Sequence, residues 1–212
     1  MENLDSEKEQ LEQVKKWFQE NGMSIVLGIV LGLGGVYGWR GWQSYQVNVA
    51  EAVSAQLTTA EQHLVKGEHE LAVTQVEKLL EESNSALYTD MARLLLARVR
   101  VEQGMLDKAA EPLKTIVADK QSVFNTIARL RLARIYLAQS RLDDAAQLTS
   151  ESVDETYAHA FEEFRGDLEL AHGQHAAARA AYLNAMTLAG TNTDTQFLQM
   201  KLDDLPATEQ LD

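Results

Sequence analysis

Cysteine is absent from the 212 residues, and proline occurs only twice. Without thiols, a disulfide framework, a thiolate zinc site, an iron–sulfur cluster and a cysteine nucleophile are all excluded. The low proline content, with 45% hydrophobic and 24% charged residues, is typical of an ordered helical chain. Basic residues are also in the minority, and 19 Lys and Arg against 32 Asp and Glu give a formal net charge of −13. Nucleic acids are bound through basic patches, so this balance argues against a nucleic-acid partner.

Charge is missing altogether from residues 21–39, a run of 19 residues. As an α-helix rising about 1.5 Å per residue, this run would extend roughly 28 Å, which is close to the hydrocarbon thickness of a bilayer. Trp17 precedes the run, and Trp39 and Trp42 lie at or after its far end, where membrane proteins carry an aromatic belt. We therefore predict one transmembrane helix over residues 23–42. The alternatives are a buried helix, which so many glycines would weaken, and a signal peptide, which the acidic leader disfavours.

The distribution of lysine and arginine predicts the orientation of this span. Lys8, Lys15 and Lys16 precede it, whereas Arg40 is followed by no Lys or Arg before Lys66. Basic residues are retained on the cytoplasmic side, so we expect residues 1–22 to form a cytoplasmic acidic tail. Residues 43–212 would then be translocated, into the periplasm if the source is a Gram-negative bacterium.

Small residues recur at four-residue spacing within the span, at Ser24, Gly28 and Gly32. In lipid, small side chains on one helix face allow a second helix to approach closely. We interpret these three residues as a helix–helix contact face, although membrane helices also simply tolerate glycine.

Beyond residue 50 the chain repeats itself. Residues 92–99 and 104–110 match residues 128–135 and 140–146 at a constant offset of 36. The turn positions Gly67, Gly104, Ser140 and Gly173 are 37, 36 and 33 residues apart. A period in the mid-thirties is typical of a solenoid of helical hairpins. We predict an all-α domain of about four repeats, at residues 52–80, 89–118, 125–153 and 158–188.

Small side chains flank each turn at fixed distances. They stand seven residues before the turn (Ala60, Ala97, Ala133 and Gly166) and five residues after it (Ala72, Ala109, Ala145 and Ala178). Two antiparallel helices need small side chains where their backbones pass closest, and the order resembles that of the tetratricopeptide repeat (TPR). Thr149 and Ser152 are polar where the second helix of the third repeat should be apolar. Residues 194–205 are expected to form a C-terminal helix that covers the exposed face of the last repeat. This segment contains Phe197, Leu198, Lys201, Leu202 and Leu205.

No group of residues resembles a catalytic, cofactor or metal site. His172 and His175 are three residues apart, but no third ligand is evident from the sequence. A solenoid instead offers a groove lined by the first helix of each hairpin. At TPR positions that face such a groove the sequence has Leu94, Arg98, Val101, Ile127, Leu130, Arg134 and Leu137. These residues could bind an extended peptide through apolar pockets and guanidinium groups, or they could fill the core and pair with neighbouring acids.

Several segments together resemble one family. They are Val14-Lys-Lys-Trp-Phe18, the glycine-rich span ending at Trp42, the stretch from Asn125 to Arg134, and Gln199-Met-Lys-Leu202. The chain resembles the ancillary SecYEG translocon subunit family (YfgM-like proteins) of Gram-negative bacteria over nearly its whole length.

This resemblance implies a single-pass inner-membrane protein with a periplasmic TPR domain. It implies association with the SecYEG channel and with PpiD, a membrane-anchored periplasmic chaperone, and a role in envelope stress. The expected function is non-enzymatic help in passing newly translocated, still unfolded polypeptides to periplasmic chaperones. The alternative is a TPR scaffold or tether at the membrane that has no role in secretion and faces the cytoplasm.

Overall fold

The computed structural model describes residues 2–83, 85–190 and 195–206, and all regular structure in these ranges is helical. The helices are α1 (Glu2–Val65), α2 (His69–Glu82), α3 (Ala86–Glu102), α4 (Leu106–Ala118), α5 (Asn125–Ala138), α6 (Leu142–Thr149), α7 (Glu155–Ala171), α8 (His175–Ala189) and α9 (Gln196–Asp203). The chain divides into two units, residues 1–54 and residues 55–212. The predicted all-α class is confirmed.

The first unit consists of α1 up to Ser54. Within the described residues, α1 is the one helix that is long and apolar enough to cross a membrane, in the stretch from Asn21 onwards. The apolar side chains that the structure describes between Met23 and Val47 are exposed, whereas Val53 is buried. The rings of Trp39 and Trp42 lie with their centroids 5.3 Å apart at the end of the predicted span.

The second unit is a stack of antiparallel helical hairpins. Each helix from α2 to α9 packs against the next one along the chain, and α5 also packs against α7. The predicted repeat intervals contain, in order, the end of α1 with α2, α3 with α4, α5 with α6, and α7 with α8. The predicted cap at 194–205 contains α9, although Asp194 lies outside the described residues.

The four turns have one backbone geometry. Gly67, Gly104, Ser140 and Gly173 all have positive φ, between 59° and 76°. In each turn this residue donates its N–H to the carbonyl three residues earlier, at 2.8 to 2.9 Å. The next residue donates to the carbonyl five residues earlier, at 2.8 to 2.9 Å. This is the Schellman motif, which ends a helix with a residue in the left-handed region, where glycine fits without strain.

The small residues on either side of these turns are buried where the helices of each hairpin meet. The seven alanines of the set are at most 2% exposed. Gly166 in the last hairpin is also buried, and a Cβ at this position would overlap with ring atoms Cε1 and Cδ1 of Tyr182 on α8. Tyr182 is itself fully buried, so its ring cannot swing into solvent.

The third hairpin shows how a short, partly polar helix is held in place. Arg129 on α5 is only 6% exposed. Its Nε donates to the carbonyl of Leu148 at 3.0 Å, and its Nη2 donates to the carbonyl of Glu151 at 3.2 Å. Thr149 donates its hydroxyl back to the carbonyls of Ala145 and Ala146. Arg129 on α5 and Thr149 on α6 therefore donate to carbonyls near the carboxyl end of α6, a helix of 8 residues, where helical hydrogen-bond donors run out.

The cap helix α9 completes the core of the last hairpin. Leu198, Leu202 and Leu205 are each 5 to 6% exposed and pack with Tyr182 and Ala185 of α8. Phe197, the fourth apolar residue named for the cap, is 57% exposed. Three of these four residues therefore cover the last hairpin, and Phe197 does not.

We expect Gly166→Ala to lower the free energy of unfolding by up to about 2 kcal/mol, because overpacking against Tyr182 costs about 1–3 kcal/mol. The better helix propensity of alanine offsets about 1 kcal/mol of that cost. Urea unfolding of the full chain in detergent micelles, followed by circular dichroism, measures the change. In a Tyr182→Leu background the same substitution should be neutral or stabilising. An equal loss in both backgrounds would contradict the assigned clash.

We expect Arg129→Met to lower the free energy of unfolding by about 2–3 kcal/mol, since it leaves two carbonyls without their donor. Arg165→Met is the matched control, because Arg165 is exposed and makes an (i, i+3) ion pair with Glu162. The control should cost less than about 1 kcal/mol. Equal unfolding midpoints for the two variants would exclude the anchoring role of Arg129.

Candidate functional site

A pocket of about 320 Å³ lies between the second and third hairpins. Helices α3, α4 and α5 supply its lining, which is Ala97, Arg98, Val101, Glu102, Leu106, Leu113, Arg131, Arg134, Ile135 and Ala138. Ala97 is one of the small residues that let two helices approach, and Ala138 is the last residue of α5. Short side chains at these places leave room beside the larger aliphatic ones.

Three of the seven predicted groove residues line this pocket, namely Arg98, Val101 and Arg134. Arg98 and Arg134 occupy equivalent positions in successive repeats, and both side chains are about half exposed.

The other four predicted groove residues lie elsewhere. Leu94 and Leu137 are half-buried and pack against the core of the hairpins, and Ile127 is half-buried outside the pocket. Leu130 is 1% exposed and belongs to the core itself, so its side chain is not accessible to a ligand. The helix face that contains Leu130 packs against the neighbouring helices. The alignment of the repeats in the sequence does not predict which face does so.

Arg131 is the functional candidate that the sequence reasoning missed. The repeat offset of 36 aligns it with Leu95, which is buried, so the register gives no hint of a pocket residue. The signal that could have found it is helical spacing, since Arg131 precedes Arg134 by three residues and therefore lies on the same face of α5.

The three arginines of the pocket differ in their partners. Arg98 Nε donates to Glu102 Oε1 at 3.1 Å, and Arg134 Nη2 lies 3.7 Å from Glu163 Oε2. Arg131 makes no hydrogen bond or ion pair with any residue that the structure describes. Partial burial lowers the pKa of Arg131, and the positive charges of Arg98 and Arg134 lower it further.

A second charged cluster joins the edge of this pocket to the cap helix. Lys201 Nζ on α9 donates to Glu163 Oε1 at 2.8 Å and to Asp167 Oδ1 and Oδ2 at 2.6 and 2.8 Å. Tyr182 donates its hydroxyl to Asp167 Oδ1 at 2.8 Å. Burial raises the pKa of Tyr182, and the hydrogen bond to Asp167 and the negative charges of Asp167 and Glu163 raise it further. Glu163 thus contacts Lys201 more closely than it contacts Arg134.

The predicted contact face of the membrane span is open in this structure. Gly28 and Gly32 are exposed, and a Cβ at either would meet nothing within 4 Å. The side chain of Ser24 lies outside the described part of the chain. Among the residues that are described, no group of three or more acidic or histidine side chains is arranged to hold a metal ion.

One protein family and several individual proteins are similar to this chain. Residues 15–207 match the family described as "Tetratricopeptide repeat-like domain". The chain is 31% identical over 206 residues to the ancillary SecYEG translocon subunit of Escherichia coli (strain K12), covering 97% of this chain and 99% of that protein. It is 27% identical to the protein of the same name from Haemophilus influenzae, covering 94% of this chain and 97% of that protein. A thermophilic TPR protein of known crystal structure from Thermus thermophilus covers 71% of this chain and 97% of its own, at 17% identity and a TM-score of 0.40.

Proposed function

The chain belongs to the ancillary SecYEG translocon subunit family, and on this premise we propose that it is a non-enzymatic inner-membrane protein that associates with the SecYEG translocon. Its role is to help pass newly translocated proteins to periplasmic chaperones through protein binding by the TPR-like domain. The proposed topology has residues 1–22 in the cytoplasm, residues 23–42 across the membrane and residues 43–212 in the periplasm. PpiD and unfolded secreted polypeptides are the proposed periplasmic partners.

The observation that carries this proposal is the extent of the similarity. The E. coli relative matches 97% of this chain, so the apolar helix and the hairpins are both included. A stack of hairpins with a pocket between two of them is suited to binding a polypeptide, since solenoids present extended surfaces rather than enclosed reaction sites.

The tagged full chain, solubilised from membranes in mild detergent, should recover the SecYEG channel and a periplasmic chaperone. Mass spectrometry of the co-purifying proteins measures this, with an unrelated single-pass membrane protein as the control for non-specific recovery. The association is expected because the family is named for it.

Recovery of only soluble cytoplasmic proteins would contradict the proposal. It would favour the second candidate, a TPR scaffold or tether at the membrane with no role in secretion. A reporter that is active only in the periplasm, fused after Asp212, separates the two topologies independently of any partner.

We further propose that Ser24, Gly28 and Gly32 form the face on which the span contacts neighbouring membrane helices. Replacing Gly28 and Gly32 with leucine should reduce recovery of the membrane partners several-fold, because bulky side chains prevent close approach of the backbones. Leu27→Ala with Leu31→Ala is the matched control, since these residues are also exposed on α1 but do not belong to the predicted face. Unchanged recovery with the glycine variant would remove this assignment, provided that circular dichroism shows an equal helical content.

A further inference from the structure

The arginine-lined pocket has a surplus of positive charge in an acidic protein. Its lining contains Arg98, Arg131 and Arg134 but only one acidic residue, Glu102. The chain as a whole has a net charge of −13. Glu163, the one further acid within reach of Arg134, lies nearer to Lys201. The pocket is therefore a local exception to the charge of the molecule, because its arginines outnumber the acid in its own lining.

Arg131 differs from the other arginines of the hairpins in its lack of a polar partner within the described part of the chain. From Arg93 to Arg179, every other arginine has a partner among the described residues. All of them except Arg179 pair with an acidic side chain. Arg129 also donates to two backbone carbonyls. Arg179 donates to the carbonyls of Leu205 and Pro206. Arg131 instead has two like-charged neighbours and lines an apolar cavity. Because its guanidinium group has no hydrogen bond or ion pair with a described residue, Arg131 is placed to bind an anion.

The remainder of the lining is apolar. Val101, Leu106, Leu113 and Ile135 contribute aliphatic side chains, and Ala97 and Ala138 contribute methyl groups. The volume is at the lower end of the range of about 300 to 1,000 Å³ that is typical of ligand sites. It is suited to one large apolar side chain rather than to a cofactor. A ligand that matches both parts of the lining must combine an apolar side chain with neighbouring carboxylates.

We infer that this pocket binds an extended polypeptide segment in which Asp or Glu side chains flank a large aliphatic or aromatic side chain. The apolar side chain enters between α3, α4 and α5, and the carboxylates accept hydrogen bonds from Arg131 and from Arg98 or Arg134. Arg131 has no acidic partner among the described residues, and Arg134 lies 3.7 Å from an acid that contacts Lys201 more closely, which favours a segment with two acidic side chains over a single chain terminus. The inference rests on the proposed function in that it names the chemistry of the polypeptide that the TPR-like domain takes.

Fluorescence anisotropy with the full chain in zwitterionic lipid nanodiscs tests the inference. The probe is a dye-labelled peptide with a Glu-Leu-Glu-Phe core in a Gly/Ser background, blocked at both ends. Matched peptides replace Glu with Gln or with Lys, and a fourth has the Gln core and a free carboxyl terminus. We expect the acidic peptide to bind at least about tenfold more tightly than the Gln peptide, and more tightly than the peptide with the free terminus. Its affinity should fall with added salt.

Arg131→Gln should reduce the preference for the acidic over the Gln peptide about tenfold, because it removes a charge-assisted hydrogen bond. It should not lower the unfolding midpoint, since it breaks no hydrogen bond or ion pair with described residues and relieves repulsion between like charges. Arg165→Gln is the matched control, because Arg165 is an exposed arginine on α7 that does not line the pocket, and it should change the preference less than about twofold. Ala138→Leu fills the apolar part and should weaken both peptides equally.

Equal binding of the acidic and Gln peptides, a preference for the Lys peptide, tighter binding of the free terminus, or an unchanged preference in Arg131→Gln would each overturn the inference. These failures differ from failure of the proposed function. If translocon components are recovered from membranes but acidic peptides are not preferred, the association stands and the pocket assignment falls. If the preference is found but no translocon component is recovered, the pocket assignment stands and the proposed association falls.

Discussion

Close approach of two helix backbones beside a left-handed turn is the constraint on which the hairpin unit depends. The turn residue ends the first helix, and the Schellman hydrogen bonds satisfy two of its free carbonyls. Small side chains seven residues before and five residues after the turn then allow the second helix to pack directly against the first. Since this turn and its flanking small residues occur four times, the same local arrangement is repeated along the whole stack. Ser140 shows that the geometry outweighs residue preference, because it adopts the left-handed conformation without being glycine.

The packing of the hairpins also determines where a ligand can bind. Tight contacts at the alanines leave little space inside a hairpin, so the described pocket lies between hairpins, where α3, α4 and α5 meet. The first helices of successive hairpins point the same way along the stack, and the arginines of two repeats consequently reach one site. The pocket lining contains three arginines and one acid in a chain with a net charge of −13, so charge complementarity as well as apolar contact bears on what it can bind.

The two ends of the chain illustrate different uses of apolar residues. On α1 the described apolar side chains between Met23 and Val47 are exposed, and they are accounted for if this part of the helix lies in a membrane. On α9 the leucines are buried against α8, where they close the core of the last hairpin. Lys201 adds a polar connection on the same helix through Glu163 and Asp167, so the cap is held by both apolar packing and charge.

The sequence by itself determined the helical class, the apolar helix and the four turns at Gly67, Gly104, Ser140 and Gly173, because each depends on residues close together in the chain. Turn glycines, alanines at fixed spacing and a long uncharged run are local signals that survive without knowledge of the fold. Only the tertiary structure decided which side chains meet across hairpins. It placed Leu130 in the core and Arg131 in the pocket, although both lie on α5, because neighbouring helices cover one face and leave the other open. It also explained why Gly166 replaces the alanine of the other repeats, since the ring of Tyr182 on α8 occupies the space that a methyl group would need.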